Sequence, residues 1–157
     1  MRAEFVNPFI ESVYELFNTM LGAKVVRTGI GLSDGQKAAT EVMALIGFSG
    51  AVRGTVGLAL PRATCAAMVS RLLGDQADNS QETIDDTIGE LVNIVAGSAK
   101  AKLSTKVGRT LDLSLPVVLS GDKYEIHSPS QATWLEVPFS SELGDLVVRL
   151  TFQSDGT

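Results

Sequence analysis

Apolar residues recur at three- and four-residue steps between Thr83 and Leu103, the spacing of an amphipathic helix. We expect this long helix to begin at Thr83, because Thr83-x-x-Asp86 has the form of a capping box and acidic residues suit a helix N-terminus. The stripe expected to face the core comprises Ile84, Ile88, Leu91, Val95 and Ala99. At about 100° per residue, a second set of residues falls within an arc of roughly 80° on the opposite side. We expect this second set to face solvent: Asp86, Glu90, Asn93, Gly97 and Lys100.

The same periodicity predicts two further helices. The first begins near Asn7-Pro8, a favourable N-cap followed by proline at the first helical position, and ends at Gly22. Its expected apolar stripe consists of Phe9, Val13, Leu16, Phe17 and Met20. The second helix spans Arg62–Leu73 and ends at Gly74. Four of its side chains are expected to face the core: Cys65, Met68, Val69 and Leu72.

The remaining apolar segments favour strands. They are Lys24–Leu32, Thr40–Phe48, Val52–Leu60, Asp112–Leu119, Lys123–His127, Thr133–Pro138 and Asp145–Phe152. The turn residues Ser49-Gly50 predict a hairpin of the second and third segments, and Gly121-Asp122 predicts another turn. Two sets of residues alternate along the last strand, which predicts one apolar and one more polar face: Leu146, Val148 and Leu150 against Val147, Arg149 and Thr151.

The order of these elements suggests an internal duplication. It runs helix, three strands, helix, then helix and about four strands. Residues 11–22 align without gaps on residues 86–97, and an acidic residue, Glu, Leu, Asn and Gly recur at the same spacing. Glu15 therefore matches Glu90, and Asn18 matches Asn93. We predict two related halves that share one sheet.

Composition narrows the class of protein. At 157 residues the chain can bury a real core, and we treat residues 1–157 as one domain. The net charge of −5 and the lack of a basic patch argue against nucleic acid as a partner. Apolar runs end well before the length that spans a bilayer, and the N-terminus lacks the pattern of a signal peptide. The single cysteine, Cys65, fits a reducing cytoplasm.

Other candidate chemistry is weak. His127 is the only histidine, so a histidine metal site or catalytic triad has little to use. Cys65 lies on an apolar helical face, which is typical of an inert core thiol. The acidic residues at four-residue steps, Glu82, Asp86 and Glu90, are typical of a solvated helix face. We expect no cofactor or metal ion on this chain.

The central helix resembles the signature of the CheC/CheX family of chemotaxis phosphatases. That signature is an acidic residue or Ser, three positions, Glu, two positions and Asn, and here it reads Asp86-x-x-x-Glu90-x-x-Asn93, followed by Gly97. The opening Phe5-Val6-Asn7-Pro8-Phe9 and the order of later segments also look like CheX. The resemblance implies an α/β (α+β) fold, with a mixed or antiparallel sheet, long helices packed on it and a pseudo-two-fold duplication.

The resemblance also implies an activity, the hydrolysis of the aspartyl phosphate of a CheY-type response regulator. In that activity Asn93 would orient the attacking water, and Glu90 would pair with the active-site lysine of the receiver domain. Asp86, Gly97 and Lys100 would contact the partner, although Asp86 also suits a helix start and Lys100 also suits a helix C-terminus. The receiver would supply Mg²⁺, and CheX-like chains are expected to form homodimers by joining sheet edges.

Alternatives remain open from the sequence. Glu15 and Asn18 could form a second site, as in CheC, but Tyr14 stands where the central helix has Gly89. The chain could also be a non-catalytic module that binds a receiver or scaffolds a signalling complex. A third possibility is a structural subunit in which Glu-x-x-Asn is incidental.

Overall fold

The structure is a computed structural model that describes residues 3–33, 41–50, 52–74, 78–108, 110–120 and 133–153. The helices are α1 (Ala3–Leu16), which continues as a π-helical turn at Phe17–Leu21, α2 (Arg62–Leu73) and α3 (Gln81–Val107). The strands are β1 (Val25–Arg27), β2 (Gly31–Ser33), β3 (Val42–Gly50), β4 (Arg53–Leu60), β5 (Leu111–Leu113), β6 (Val117–Ser120), β7 (Trp134–Ser141) and β8 (Gly144–Gln153).

The strands form one antiparallel sheet with helices packed against it. Its order is β1-β7-β8-β4-β3-β5, while β2 also pairs with β7 and β6 also pairs with β3. All of these pairings are antiparallel. The predicted hairpin is confirmed as β3–β4, in which Val42 lies opposite Leu60. The expected α+β class is therefore correct.

The strand order has the two-fold symmetry that the repeated sequence predicts. Exchanging β1 with β5, β3 with β7 and β4 with β8 turns the order into its own reverse. β2 and β6 occupy equivalent places, because β2 pairs with β7 and β6 pairs with β3. α1 opens the first half and α3 opens the second. The predicted duplication is confirmed, and α2 is an additional helix of the first half.

Two segments predicted as single strands are each divided in the structure. Lys24–Leu32 forms β1 and β2, and Asp112–Leu119 falls within β5 and β6. At both breaks three residues face two on the partner strand, so the ladder is interrupted as in a β-bulge. The facing segments are residues 28–30 with 137–138, and residues 114–116 with 46–47. The predicted strand Lys123–His127 and the turn Gly121-Asp122 lie outside the described residues.

α1 differs from its prediction at both ends. It begins at Ala3 rather than at Asn7-Pro8, so Pro8 lies inside the helix, and the Ser12 hydroxyl donates to the Pro8 carbonyl at 2.6 Å. The predicted end at Gly22 is correct, with a left-handed φ of 58°. The π-helical turn shifts the apolar stripe by one residue, because a π turn contains an extra residue. Leu21 is therefore buried, whereas Met20 is 44% exposed.

α2 and the buried stripe of α3 agree with the sequence. α2 spans the predicted residues, and Cys65, Met68 and Val69 are buried in it. All five residues of the predicted α3 stripe are buried: Ile84, Ile88, Leu91, Val95 and Ala99. The predicted start of α3 at Thr83 is wrong. The helix begins at Gln81, and the Ser80 hydroxyl caps it by accepting a hydrogen bond from the Thr83 N–H.

The sheet face turned away from the helices is also partly buried. Leu146, Val148 and Leu150 lie in the helix-covered core as predicted, but Arg149 and Thr151 are buried as well. The Arg149 guanidinium carbon lies 4.9 Å from the centre of the Trp134 ring, a cation–π contact. The alternation in β8 therefore identifies the two faces correctly but not the exposure of the second one.

Candidate functional site

α3 presents the predicted polar face to solvent. Asp86, Glu90 and Asn93 are exposed, while Gly97 and Lys100 are half-buried. Glu90 and Asn93 lie three residues apart, so their side chains project from the same side of the helix within one turn. The structure thus brings an acid and an amide together on a regular helix with a buried opposite side.

The side chains of Glu90 and Asn93 make no polar contact with the described residues. In the part of the chain that the structure describes, no hydrogen bond or ion pair joins either of them to another residue. An exposed carboxylate without a partner is free to meet a cation on another molecule. An exposed carboxamide can accept a hydrogen bond from a water molecule and donate one to it.

Two glycines of α3 differ in what surrounds them. A β-carbon at Gly89 would lie 3.3 Å from Val118 Cγ2, so the missing side chain lets β6 approach the helix closely. At Gly97 a β-carbon would meet no atom within 4 Å. The packing of the described residues therefore does not require glycine at position 97, although glycine weakens a helix by about 1 kcal/mol relative to alanine.

The N-terminal turn of α3 is held by a network that the sequence did not reveal. The Gln81 side-chain amide donates to Asp85 Oδ1 at 2.7 Å and to Ser120 Oγ at 2.8 Å, and Ser120 Oγ donates to Asp85 Oδ1 at 2.8 Å. Arg62 at the start of α2 donates to Gln81 Oε1 at 2.9 Å. Only the four-residue spacing of Gln81 and Asp85 was visible in the sequence, whereas Ser120 and Arg62 come from distant segments.

The C-terminal half of α3 is tied to α1. Glu15 accepts hydrogen bonds from Lys102 Nζ and from Ser98 Oγ, the latter at 3.1 Å. Glu11 and Lys106 form a longer ion pair, with 3.9 Å between Oε1 and Nζ. Because Glu15 meets Ser98 while the earlier Glu11 meets the later Lys106, the two helices run antiparallel.

The second copy of the motif, on α1, is differently placed. The hydrogen bond from Lys102 lowers the pKa of the Glu15 carboxyl below its usual value. The Tyr14 ring packs edge-on against Phe139 with 5.8 Å between ring centres, and its hydroxyl accepts from the Arg27 N–H at 2.8 Å. Asn18 remains exposed beside a groove of about 740 Å³. The structure therefore presents Asn18 without a free acid next to it.

No group of three or more side chains suited to bind a metal ion occurs among the described residues. None of the described helices combines the length and the apolar character needed to cross a bilayer.

Comparisons with known proteins identify the family of the chain. The model of the family described as chemotaxis phosphatase CheX matches residues 42–140, which is more than half of the chain. This range includes the face of α3 that carries Glu90 and Asn93. No curated protein matches the chain.

Solved structures share the fold over nearly the whole chain. The CheC-like superfamily protein from Shewanella sp. PV-4 is 29% identical, with a TM-score of 0.86, and covers 98% of this chain and 100% of its own. Chemotaxis protein CheX from Vibrio vulnificus is 30% identical, with a TM-score of 0.84, covering 96% of this chain and 100% of its own.

A third similar structure contains a partner. It is the CheX–CheY–BeF₃–Mg²⁺ complex from Borrelia burgdorferi, at 24% identity and a TM-score of 0.75, covering 98% of this chain and 100% of that one. At this identity the likeness concerns the fold. Together with the family match, these comparisons show that the chain belongs to the CheX family of chemotaxis phosphatases.

Proposed function

We propose that this protein hydrolyses the aspartyl phosphate of a CheY-type response regulator, which ends a chemotaxis or other two-component signal. The observation that carries the proposal is the pair Glu90 and Asn93, exposed on one face of α3 and without a partner among the described residues, in a chain of the CheX family. The complex of the Borrelia CheX with CheY supports the choice of partner.

The reaction needs a water molecule in line with the bond that breaks. The water oxygen bonds to phosphorus, the bond from phosphorus to the aspartyl oxygen breaks, and the products are inorganic phosphate and the receiver's free carboxylate. Because the transition state is largely dissociative, the main requirements are orientation and stabilisation of charge. Mg²⁺ bound by the receiver supplies charge stabilisation.

Asn93 supplies the orientation in this proposal. A carboxamide both accepts and donates hydrogen bonds and does not titrate near neutral pH, so it can hold one water in a fixed direction. It cannot remove a proton from that water, and a dissociative reaction requires little general-base assistance. The regular backbone of α3 fixes the position of the amide relative to Glu90.

Glu90 provides the anchor. Its carboxylate pairs with the active-site lysine of the receiver, which sets how deeply α3 enters the receiver's site. Asp86 and Lys100 contact the rim, and the open space over Gly97 allows the backbones of the two proteins to approach closely. The complete active site therefore forms only in the complex.

A homodimer is part of the proposal. β1 and β2 lie at one edge of the sheet, since β7 is the only described strand that pairs with them. Three exposed apolar side chains lie there, Val26, Ile30 and Leu32. An edge strand with apolar side chains favours pairing with another strand. We place the dimer in the cytoplasm, where its receiver substrate acts.

Two measurements separate this function from its rivals. Retention of the protein on immobilised receiver is compared with and without phosphorylation, and loss of receiver phosphate is then followed with and without the protein. A phosphatase binds the phosphorylated receiver and accelerates the loss. Binding without acceleration would indicate a non-catalytic module, and the absence of phosphorylation-dependent binding would indicate a structural subunit.

A further inference from the structure

We propose that Asp85 is a positioning residue for the phosphatase reaction: it fixes the N-terminal half of α3, and so the height at which Glu90 meets the receiver. The inference rests on the proposed function and adds a residue outside the family signature. Asp85 directly precedes Asp86 in the chain, but its side chain points to β6 rather than to solvent, because it accepts a hydrogen bond from Ser120.

The two halves of α3 are supported by different elements. The described hydrogen bonds and ion pairs between α1 and α3 all lie at Ser98 or beyond, in the C-terminal half. In the N-terminal half, the buried stripe that includes Ile84 and Ile88 packs in the core, and the additional supports are the close approach of β6 at Gly89 and the network around Asp85. The polar contacts that support the stretch carrying Asp86 and Glu90 therefore come from β6 and α2, not from α1.

The network around Asp85 is a closed triangle. Asp85 Oδ1 accepts from both Gln81 and Ser120, at 2.7 and 2.8 Å, and Gln81 also donates to Ser120 at 2.8 Å. The Gln81 amide nitrogen has two protons and the Ser120 hydroxyl has one, so each of these donors has an acceptor. All three residues are half-buried, which strengthens such bonds relative to bonds in bulk water.

The triangle continues into α2. Arg62 donates to Gln81 Oε1 at 2.9 Å, and the Arg62 backbone N–H donates to Glu41 Oε1 at 3.0 Å. α3, β6, α2 and the residue preceding β3 are thus linked through side chains that meet at Gln81 and Asp85. Without the Asp85 carboxylate, Gln81 and Ser120 would each lose one acceptor, and the first turns of α3 would keep their apolar packing but lose this polar link to β6.

Loss of this network would affect docking to the receiver more than catalysis. Glu90 lies little more than one turn from Asp85, within the half of α3 that this network supports. Asn93 lies further along the helix, towards the half supported by α1. A small displacement of the N-terminal turns therefore weakens the contact with the receiver more than it disturbs the orientation of water.

The test compares three variants in steady-state dephosphorylation of a phosphorylated receiver. Asp85→Ala removes the acceptor, and we expect KM to rise about tenfold while kcat changes less than twofold, because the variant displaces the docking residue Glu90 more than Asn93. Asp85→Asn keeps an oxygen that can accept both bonds, so KM stays within twofold of the wild type. Glu82→Ala, an exposed acid of the same helical turn, is the matched charge control and leaves KM unchanged.

Each outcome bears on the inference. Equal KM values for Asp85→Ala and Glu82→Ala would overturn it, as would a fall of kcat at constant KM. If circular dichroism shows that Asp85→Ala does not fold, Ser120→Ala removes the other side of the triangle, and an unchanged KM in that variant would overturn the inference. A wild-type protein without activity would instead refute the proposed function, and the inference with it.

Discussion

The same four-residue unit, Glu-x-x-Asn, occurs on α1 and on α3, but the two copies have different surroundings. On α3, Glu90 is exposed and has no partner among the described residues. On α1, Glu15 accepts hydrogen bonds from Lys102 and Ser98 of the neighbouring helix. Sequence identity within the repeat therefore does not determine whether an acid is available to another molecule.

The neighbours of each copy explain the difference. Gly89 lets β6 approach α3 closely, whereas Tyr14 at the matching position of α1 fills the space against Phe139 with its ring. Lys102 of α3 pairs with Glu15 across the two helices, so the Glu15 carboxylate already has a cation as its partner. We infer that α3 carries the working site, while α1 has kept the motif and uses Glu15 to hold the two helices together.

The largest expected difference between the two copies of the motif is in affinity for the receiver. Glu90→Ala removes the anchor to the receiver's lysine, and loss of one partner of such a pair costs about 2–3 kcal/mol, or roughly 30- to 150-fold in Kd. Glu15→Ala changes Kd less than twofold. Titration of both variants with a receiver bound to beryllofluoride and Mg²⁺ measures this difference. Similar losses in the two variants would mean that both helices dock.

A smaller effect is expected at the open glycine. The methyl group of Gly97→Ala would meet no atom of the described residues within 4 Å, so the substitution stabilises the protein by about 0.5–1 kcal/mol through helix propensity. The added methyl group nevertheless lies on the docking face, and we expect binding to the receiver to weaken about fivefold or more, the equivalent of roughly 1 kcal/mol. Thermal unfolding and the same titration give the two numbers. An increase in stability with unchanged binding would show that no backbone approaches position 97.

The smallest expected effect concerns the ion pair between Lys102 and Glu15, which engages the acid of the α1 copy. Lys102→Met leaves dephosphorylation unchanged and lowers the free energy of unfolding by a few tenths of a kcal/mol, because the Glu15 carboxylate is exposed and solvent screens the pair. Increased activity in this variant would mean that Lys102 suppresses a second site.

The pH dependence of stability follows from the same pair. The folded state lowers the pKa of Glu15 below 4.5, so the carboxylate contributes stability at neutral pH. That contribution is lost as the pH falls below about 4.5 through the folded pKa. The difference in unfolding free energy between wild type and Glu15→Gln is therefore constant from pH 7 to about 5 and shrinks in more acidic solution. Denaturant titrations along this range test it, and a difference that grows in acid would contradict the assignment.

Much of the fold was accessible from the sequence because local patterns dictated it. The bounds of α2 and the buried stripe of α3 follow from helical periodicity, and the repeat predicted the symmetric sheet. Met20 was misplaced because a π-helical turn has no sequence pattern of its own, and residues 28–30 and 114–116 gave no sign of an extra residue in their ladders. The alternation in β8 places Arg149 on the more polar face, but the side chain is buried, because periodicity distinguishes the two faces of a strand without showing how exposed each one is.

The candidate site was likewise predictable from the sequence only in part. The exposed face of α3 could be read from residue spacing alone, because spacing fixes direction on a helix. The pairing of Glu15 with Lys102 could not, because it depends on how two helices cross. The network of Gln81, Asp85 and Ser120 was hidden for the same reason, since its members are up to 39 residues apart.

The central claim is tested most directly by single-turnover dephosphorylation with Asn93→Ala and Asn18→Ala measured side by side at a saturating concentration of each protein. The account predicts that Asn93→Ala loses about 100-fold or more of the rate, as expected when the attacking water is no longer oriented, whereas Asn18→Ala keeps the wild-type rate. A wild-type rate for Asn93→Ala, or an equal loss in both variants, would contradict the account.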